Sequence, residues 1–232
     1  MRGMVLLVAA ALAGTAGAVI AAPTGKAAAP SARDWTRTVA VTPEGGFRMG
    51  NPAAPVKLVE YGSLTCSHCA DFNAAAKDRI AAQVRSGKLS FEFRTFVLNG
   101  VDVAATLLAH CAGPERFFPL TETLFRSQGQ WLGKAAGLTD AQKAQIQAAP
   151  EQQRVGRIAD LIGLTQIAAS QGVAPARGKQ CLADPAALKR IENIHRGGTG
   201  LGIQGTPTFL VNGRKVDAAD WAGLEPLLTG AR

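Results

Sequence analysis

The chain is poor in cysteine, with four in 232 residues: Cys66 and Cys69 stand two residues apart, and Cys111 and Cys181 lie alone downstream. So sparse a set does not make a small disulfide-stapled scaffold. At 47% hydrophobic content a chain of this length buries a core unaided. No block of basic residues is present: the net charge of +8 is scattered, so it is read as a matter of solubility and steering, and no nucleic-acid partner is expected. No histidine follows the second cysteine of the close pair, where position 70 is Ala, which excludes attachment of a c-type haem. No second close pair of cysteines accompanies the first. The three histidines, His68, His110 and His195, match no metal-ligand spacing, so neither a metal nor a cofactor is expected. There is no internal repeat.

The one long uncharged apolar run is at the start. Arg2 is followed by "MVLLVAAALAG" (Met4–Gly14) and then by "AGA" at Ala16–Ala18, a form that signal peptidase reads. Residues 1–22 are expected to be a signal peptide; the alternative is an uncleaved anchor, since the run approaches membrane-spanning length. No cysteine follows it directly, which argues against a lipoprotein. Either way the remainder is expected outside the cytoplasm, in the periplasm, where disulfides persist. Residues 23–50 are read as a flexible leader, rich in Ala, Pro, Ser and Lys as far as Arg33, and an N-terminal segment.

From there the pattern becomes regular. "PVKLVEYG" (Pro55–Gly62) is a short run rich in apolar and β-branched residues between turn signals, as a buried strand is. Beyond Cys66, Phe72, Ala76, Ile80 and Val84 recur at helical spacing until Gly87 stops the run. "KLSFEFRTFVLNG" (Lys88–Gly100) returns to period two, which completes a βαβ unit whose strands a right-handed crossover makes parallel. Residues 101–196 read as several short helices. Among them Thr139 and Gln142 are spaced as a capping box, and Asp184 precedes Pro185 as an N-cap precedes its first helical residue. Residues 197–232 return to strand, with a hairpin signal at Asn212-Gly213, and close on an amphipathic helix carrying Trp221, Leu224 and Leu227.

The Cys66–Cys69 motif therefore falls between a buried strand and a helix. Orphan N–H groups and the helix dipole favour an anion there, which lowers a thiol's pKa and makes it a nucleophile. His68, inside the motif, is expected to add positive charge or a hydrogen bond to the thiolate. A purely structural disulfide is the alternative. Downstream, "GTPTFLVNG" (Gly205–Gly213) sets Pro207 directly before a strand, where a cis proline would make a tight turn.

Together these stretches resemble the bacterial DsbA-like thiol:disulfide oxidoreductases, an α/β thioredoxin fold interrupted by an α-helical insertion. The matching segments are "NPAAPVKLVEYGSLTCSHCADF", "FEFRTFVLNG" and "GIQGTPTFLVNG", from Asn51 onward. The resemblance divides the fold into residues 51–100 and 197–232, with 101–196 inserted. It implies Cys66 as nucleophile, Cys69 as resolving thiol, Pro207 as the facing cis-proline, and Ser67 and Thr206 as residues beside the substrate. Glu60 matches the acidic residue beneath the motif. A carboxylate in a buried strand is costly unless it is paired or works, so a proton-transfer role is expected.

Two positions depart from the oxidase pattern. The inner pair of the motif is Ser67-His68, and Thr206 before Pro207 resembles the isomerase branch. The isomerases of that branch carry an N-terminal dimerisation domain, for which the segment before Asn51 is too short, so a monomer is expected. Cys111 and Cys181 fall in the first helix of the insertion and just before its last. In an oxidising compartment they are expected to pair as a structural disulfide, two inert thiols being the alternative. The function implied is the oxidation of reduced or unfolded exported proteins, with reoxidation by a membrane quinone-linked partner. A reductase or isomerase kept reduced by another system, and a non-catalytic peptide-binding module, are the alternatives.

Overall fold

The computed structural model describes residues 33–231; the apolar N-terminal run lies outside the described residues. A 3-10 turn (Trp35–Arg37) leads into β1 (Val39–Val41), β2 (Phe47–Gly50), β3 (Val56–Gly62), α1 (Ser67–Arg85) and β4 (Leu89–Thr95). Eight helices follow: α2 (Gly100–Cys111), α3 (Pro114–Arg126), α4 (Gln128–Ala136), α5 (Asp140–Ala148), α6 (Glu151–Leu161), α7 (Leu164–Ser170), α8 (Pro175–Leu182) and α9 (Pro185–Gly200). The chain then returns as β5 (Thr208–Val211), β6 (Arg214–Val216) and α10 (Trp221–Gly230). This is a thioredoxin fold with a helical insertion between β4 and β5.

Among the described residues the strands form one six-stranded sheet in the order β1-β2-β4-β3-β5-β6. β3 and β4 run parallel, as a crossover through α1 requires. β5 pairs antiparallel with β3, Tyr61 opposite Thr208. That register carries the segment just before Thr208 past the carboxyl end of β3, beside the motif. The β5–β6 hairpin turns at Asn212 (φ 49°) and Gly213 (φ 80°), left-handed positions that this residue pair adopts readily. The sequence reading starts the fold at Asn51; the sheet also takes in β1 and β2, which pair with each other and, through β2, with β4.

Alternation along β3 sorts its side chains to two faces. Val56 and Leu58 join the main core with Phe91, Phe93 and the Phe72–Ile80 stripe of α1, while Val59 and Tyr61 form a smaller cluster with Phe96, Ile203 and Leu210. α9 closes over this second face at Gly198, where a Cβ would lie 2.9 Å from the Tyr61 ring. The insertion shares the main core through buried residues of α2, α3 and α4, including Leu108, Phe117 and Trp131. The capping box at Thr139 and the Asp184 cap are both formed.

Candidate active site

β3 ends at Gly62, where a Cβ would strike the Phe93 ring and come within 3.0 Å of Glu60 Oε1; the strand can turn away here because nothing protrudes. Ser63 then organises the bend. The Thr65 amide donates to Ser63 Oγ at 3.1 Å, and the Cys66 amide donates to the Ser63 carbonyl at 3.3 Å. Cys66 is extended (φ −81°, ψ 121°) and is the N-cap of α1, its carbonyl accepting from the Ala70 amide. Its sulfur is therefore presented at the positive end of a 19-residue helix. Cys66 is half-buried; Cys69, one turn on, is fully buried.

The segment before β5 faces this turn. The Thr206–Pro207 peptide bond is cis, and the Cys66 thiol donates to the Thr206 carbonyl at 3.2 Å. Thr206 Oγ1 is buried with no hydrogen-bond partner. The electrostatics follow from these neighbours. The Cys66 thiol is pulled down to about 5, first by a hydrogen bond from the Cys69 thiol and further by Thr206 and the amides of Cys69 and His68, against the opposing effect of burial. The same bond pushes Cys69 far up, since its proton serves the Cys66 thiolate, and burial and the Glu60 charge act in the same direction. Glu60, only 3% exposed, is pushed up to about 8 by burial and then by the Cys66 charge. Two thiols of one chemical type are thus driven apart, one into a thiolate and one into a proton holder.

Ser67 and His68 lie exposed on the first turn of α1. The sequence reading gave the His68 ring the task of stabilising the thiolate; the interaction found from position 68 passes through its main-chain N–H instead, which belongs to the helix N-terminus whatever the side chain. Thr206 and Pro207 are half-buried beside Cys66. Cys111 and Cys181 are not part of this site. They form a disulfide with Cα atoms 5.9 Å apart, tying the C-terminus of α2 to α8, roughly 14 Å along the helix axis from the residues of α2 that approach the motif.

Two side chains close to the motif carry no signal that the sequence reading used. Asp102 of α2 is fully buried and accepts from Ser63 Oγ, from the Leu64 amide at 3.0 Å and from the Leu98 amide at 2.9 Å. Gln128 of α4 donates from one amide nitrogen to the carbonyls of Leu64 and Cys66, at 2.8 and 2.9 Å. In sequence the first is an ordinary acid in a helix's first turn and the second an ordinary helix former.

A family model described as thioredoxin matches residues 42–229. The chain belongs to the thioredoxin family. A protein-disulfide isomerase of Novosphingobium aromaticivorans, known from a crystal structure, is 31% identical, with a TM-score of 0.73 over 79% of this chain and 95% of that one. The Wolbachia pipientis alpha-DsbA1 structure, 24% identical, shares the fold with a TM-score of 0.63 over 79% of this chain and 89% of its own. A protein of Rickettsia prowazekii, provisionally named a protein-disulfide oxidoreductase, is 26% identical over 71% of this chain and 53% of its own length. The chain thus spans about half the length of the curated relatives it matches.

Proposed function

We propose that the protein is an exported thiol:disulfide oxidoreductase that introduces disulfides into extracytoplasmic proteins by exchange at Cys66-Ser67-His68-Cys69. The observation that carries the reading is the division of labour between the two sulfurs: Cys66 at the helix N-terminus with its thiol down at about 5, Cys69 buried and held protonated. In the oxidised state a substrate thiolate attacks Cys66 Sγ. The Cys66–Cys69 bond breaks, Cys69 leaves with the electron pair and takes up a proton, and a mixed disulfide joins substrate to Cys66. A second substrate thiolate attacks the substrate sulfur of that bond and Cys66 departs as a thiolate. The substrate has lost two electrons and the pair has gained them. Cys66 is a good leaving group because its thiolate is stabilised. Glu60, which lies close enough to sense the charge on both sulfurs, is the group placed to supply and recover the proton of Cys69.

Client chains lie extended beside Thr206-Pro207 and the exposed Ser67, adding main-chain hydrogen bonds as an edge strand does, which makes recognition broad. The protein works as a monomer in the periplasm and is reoxidised by a membrane quinone-linked partner. The disulfide between Cys111 and Cys181 has a structural task, holding the insertion together. A second reading has support in one comparison, since the 31% identical relative is named an isomerase, and in the sequence resemblance, in which Thr206 before Pro207 is similar to the isomerase branch. In that reading the pair is kept reduced and reshuffles disulfides.

The reduction potential of the Cys66–Cys69 pair tests the proposal, by equilibration in glutathione buffers and alkylation of free thiols, with Cys66→Ser as the inactive control. A value near about −120 mV supports the oxidase, because the disulfide is then readily given away. A value near about −270 mV rejects the oxidase in favour of a reducing or reshuffling role.

A further inference from the structure

The turn that delivers Cys66 belongs to the thioredoxin part of the chain, yet two of its anchors come from the insertion. Between the end of β3 and the start of α1 the chain runs through Ser63, Leu64 and Thr65 without pairing to a strand. Its polar groups are met from two sides. From α2, Asp102 takes the Ser63 hydroxyl and the Leu64 amide, and with its Leu98 bond ties them to the segment entering α2. Asn99, the N-cap of α2, accepts from the Asp102 amide and donates to Thr65 Oγ1 at 3.0 Å, and Thr65 Oγ1 lies 3.0 Å from Ser63 Oγ. From α4, Gln128 holds the carbonyls of Leu64 and Cys66 themselves. The loop is thus clamped at four successive residues, 63 to 66, by groups that are 34 to 64 residues away in sequence.

We propose that the helical insertion is part of the redox machinery, with Asp102 and Gln128 as positioning residues that fix the Cys66 sulfur against the helix N-terminus and Thr206. The inference rests on the reading of Cys66 as the reactive thiol. Its physical basis is that the Cys66 sulfur is held by directional bonds, from the Cys69 thiol and two main-chain amides and through its own 3.2 Å bond to the Thr206 carbonyl, and such bonds weaken steeply with misalignment. A clamp on the preceding residues keeps the sulfur in register with all of them. Asp102 is suited to this by burial: its carboxylate has no exposure, so its ionised form is satisfied only by the loop it holds and by the Leu98 amide. Asp102 does not act through its charge, because a negative group near Cys66 opposes the thiolate. The two roles therefore predict opposite signs.

The test is a pair of variants, Asp102→Asn and Gln128→Ala, with Leu107→Ala as a control. Leu107 is buried in the core on the same helix as Asp102, so its truncation destabilises the insertion without touching the clamp. Three quantities are read on the full chain: thiolate absorbance of Cys66 against pH, the equilibrium constant of the Cys66–Cys69 pair with glutathione, and the unfolding midpoint. Both clamp variants are expected to raise the Cys66 pKa by about one unit, which is about a tenfold loss of thiolate below the original pKa. They should also shift the glutathione equilibrium toward the disulfide. Leu107→Ala should lower the unfolding midpoint and leave the thiol where it was. A lowered Cys66 pKa in Asp102→Asn would mean the charge alone matters and would overturn the proposal; so would unchanged thiol titrations in folded variants, or a Leu107→Ala shift as large as theirs. Should Asp102→Asn fail to fold, Gln128→Ala decides on the same criteria. If the unmodified protein shows no low-pKa thiol, the assignment of Cys66 itself fails; if it does and the variants leave it unmoved, only the clamp is wrong.

Discussion

Glu60 has one carboxyl oxygen buried without a hydrogen-bond partner, so its ionised form is the costly one. Its pKa in the fold, about 8, lies above the ordinary 4.5, so the folded state binds a proton that the unfolded chain releases. Stability therefore falls as pH rises from about 4.5 toward 8. Asp102 works in the same direction up to about 6. His110 opposes both: half-buried, with its Nε2 3.0 Å from Thr95 Oγ1, it is pushed down to about 4 by desolvation and then by the Arg190 charge, so the stability it contributes above 6.5 is lost as pH falls toward 4. Glu60→Gln removes one of these three responses. In the disulfide form, where Cys66 does not titrate, the variant should gain on the natural protein as pH rises from 5 to 8, by several kcal/mol over the window. Denaturant unfolding at pH 5, 6.5 and 8 measures the gap; a gap that stays constant would mean that Glu60 carries its charge without cost. At this scale the sequence discloses residues whose type is conspicuous in its context: a lone acid in an apolar strand, a cysteine pair before a helix. Asp102 and Gln128 are conspicuous only once α2 and α4 are folded against the Ser63–Cys66 turn, because no local pattern brings together groups so distant in the chain.

The elements divide along the same line. α1 and β4 are legible because each writes its own period, β3 because it is an apolar run between turn signals, and β5 because Pro207 precedes it and Asn212-Gly213 writes its turn; α10 is legible as a helix, but its buried stripe is Trp221, Leu224 and Leu228, with Leu227 of the sequence reading exposed. β1 is three residues long and partly exposed, and what makes it a strand is its pairing with β2, itself recruited by β4; such tertiary pairing leaves almost no local signature. The disulfide at the far end of α2 permits a prediction about the insertion as a unit. Cys111 and Cys181 close a loop of 70 residues, so replacing both by Ala should cost up to about 4 kcal/mol through the freedom returned to the unfolded chain. The Cys66–Cys69 potential should be unaffected, since the clamp on the motif sits at the other end of α2. Thermal unfolding gives the first quantity and glutathione equilibration the second. A large shift in the potential would show that the disulfide reaches the active site through the helix.

For the whole molecule the redox state of one pair and the stability of the fold are linked. The low Cys66 pKa exists only when the protein is both folded and reduced, because the donors that hold the thiolate are assembled by folding and the sulfur is free only in the dithiol. Its folded pKa of about 5 lies below the ordinary 9.0, so the stabilisation is complete above pH 9 and is lost as pH falls toward 5. Over the same range the oxidised protein has no such response, and the burial cost of Glu60 is common to both forms apart from the part that the Cys66 charge adds. The difference in stability, reduced minus oxidised, should therefore rise with pH between 5 and 9, with a slope approaching one proton per molecule, reduced somewhat by that added Glu60 cost. Paired unfolding curves in reducing and oxidising buffer at several pH values measure it. Because the folded protein, the unfolded chain and the two redox states form a closed cycle, the same slope must reappear as a pH dependence of the reduction potential relative to that of the unfolded pair. A flat difference across this range would mean that the thiolate gains nothing from the fold. The disulfide would then have no built-in tendency to be passed on, and the oxidase reading would lose its physical basis.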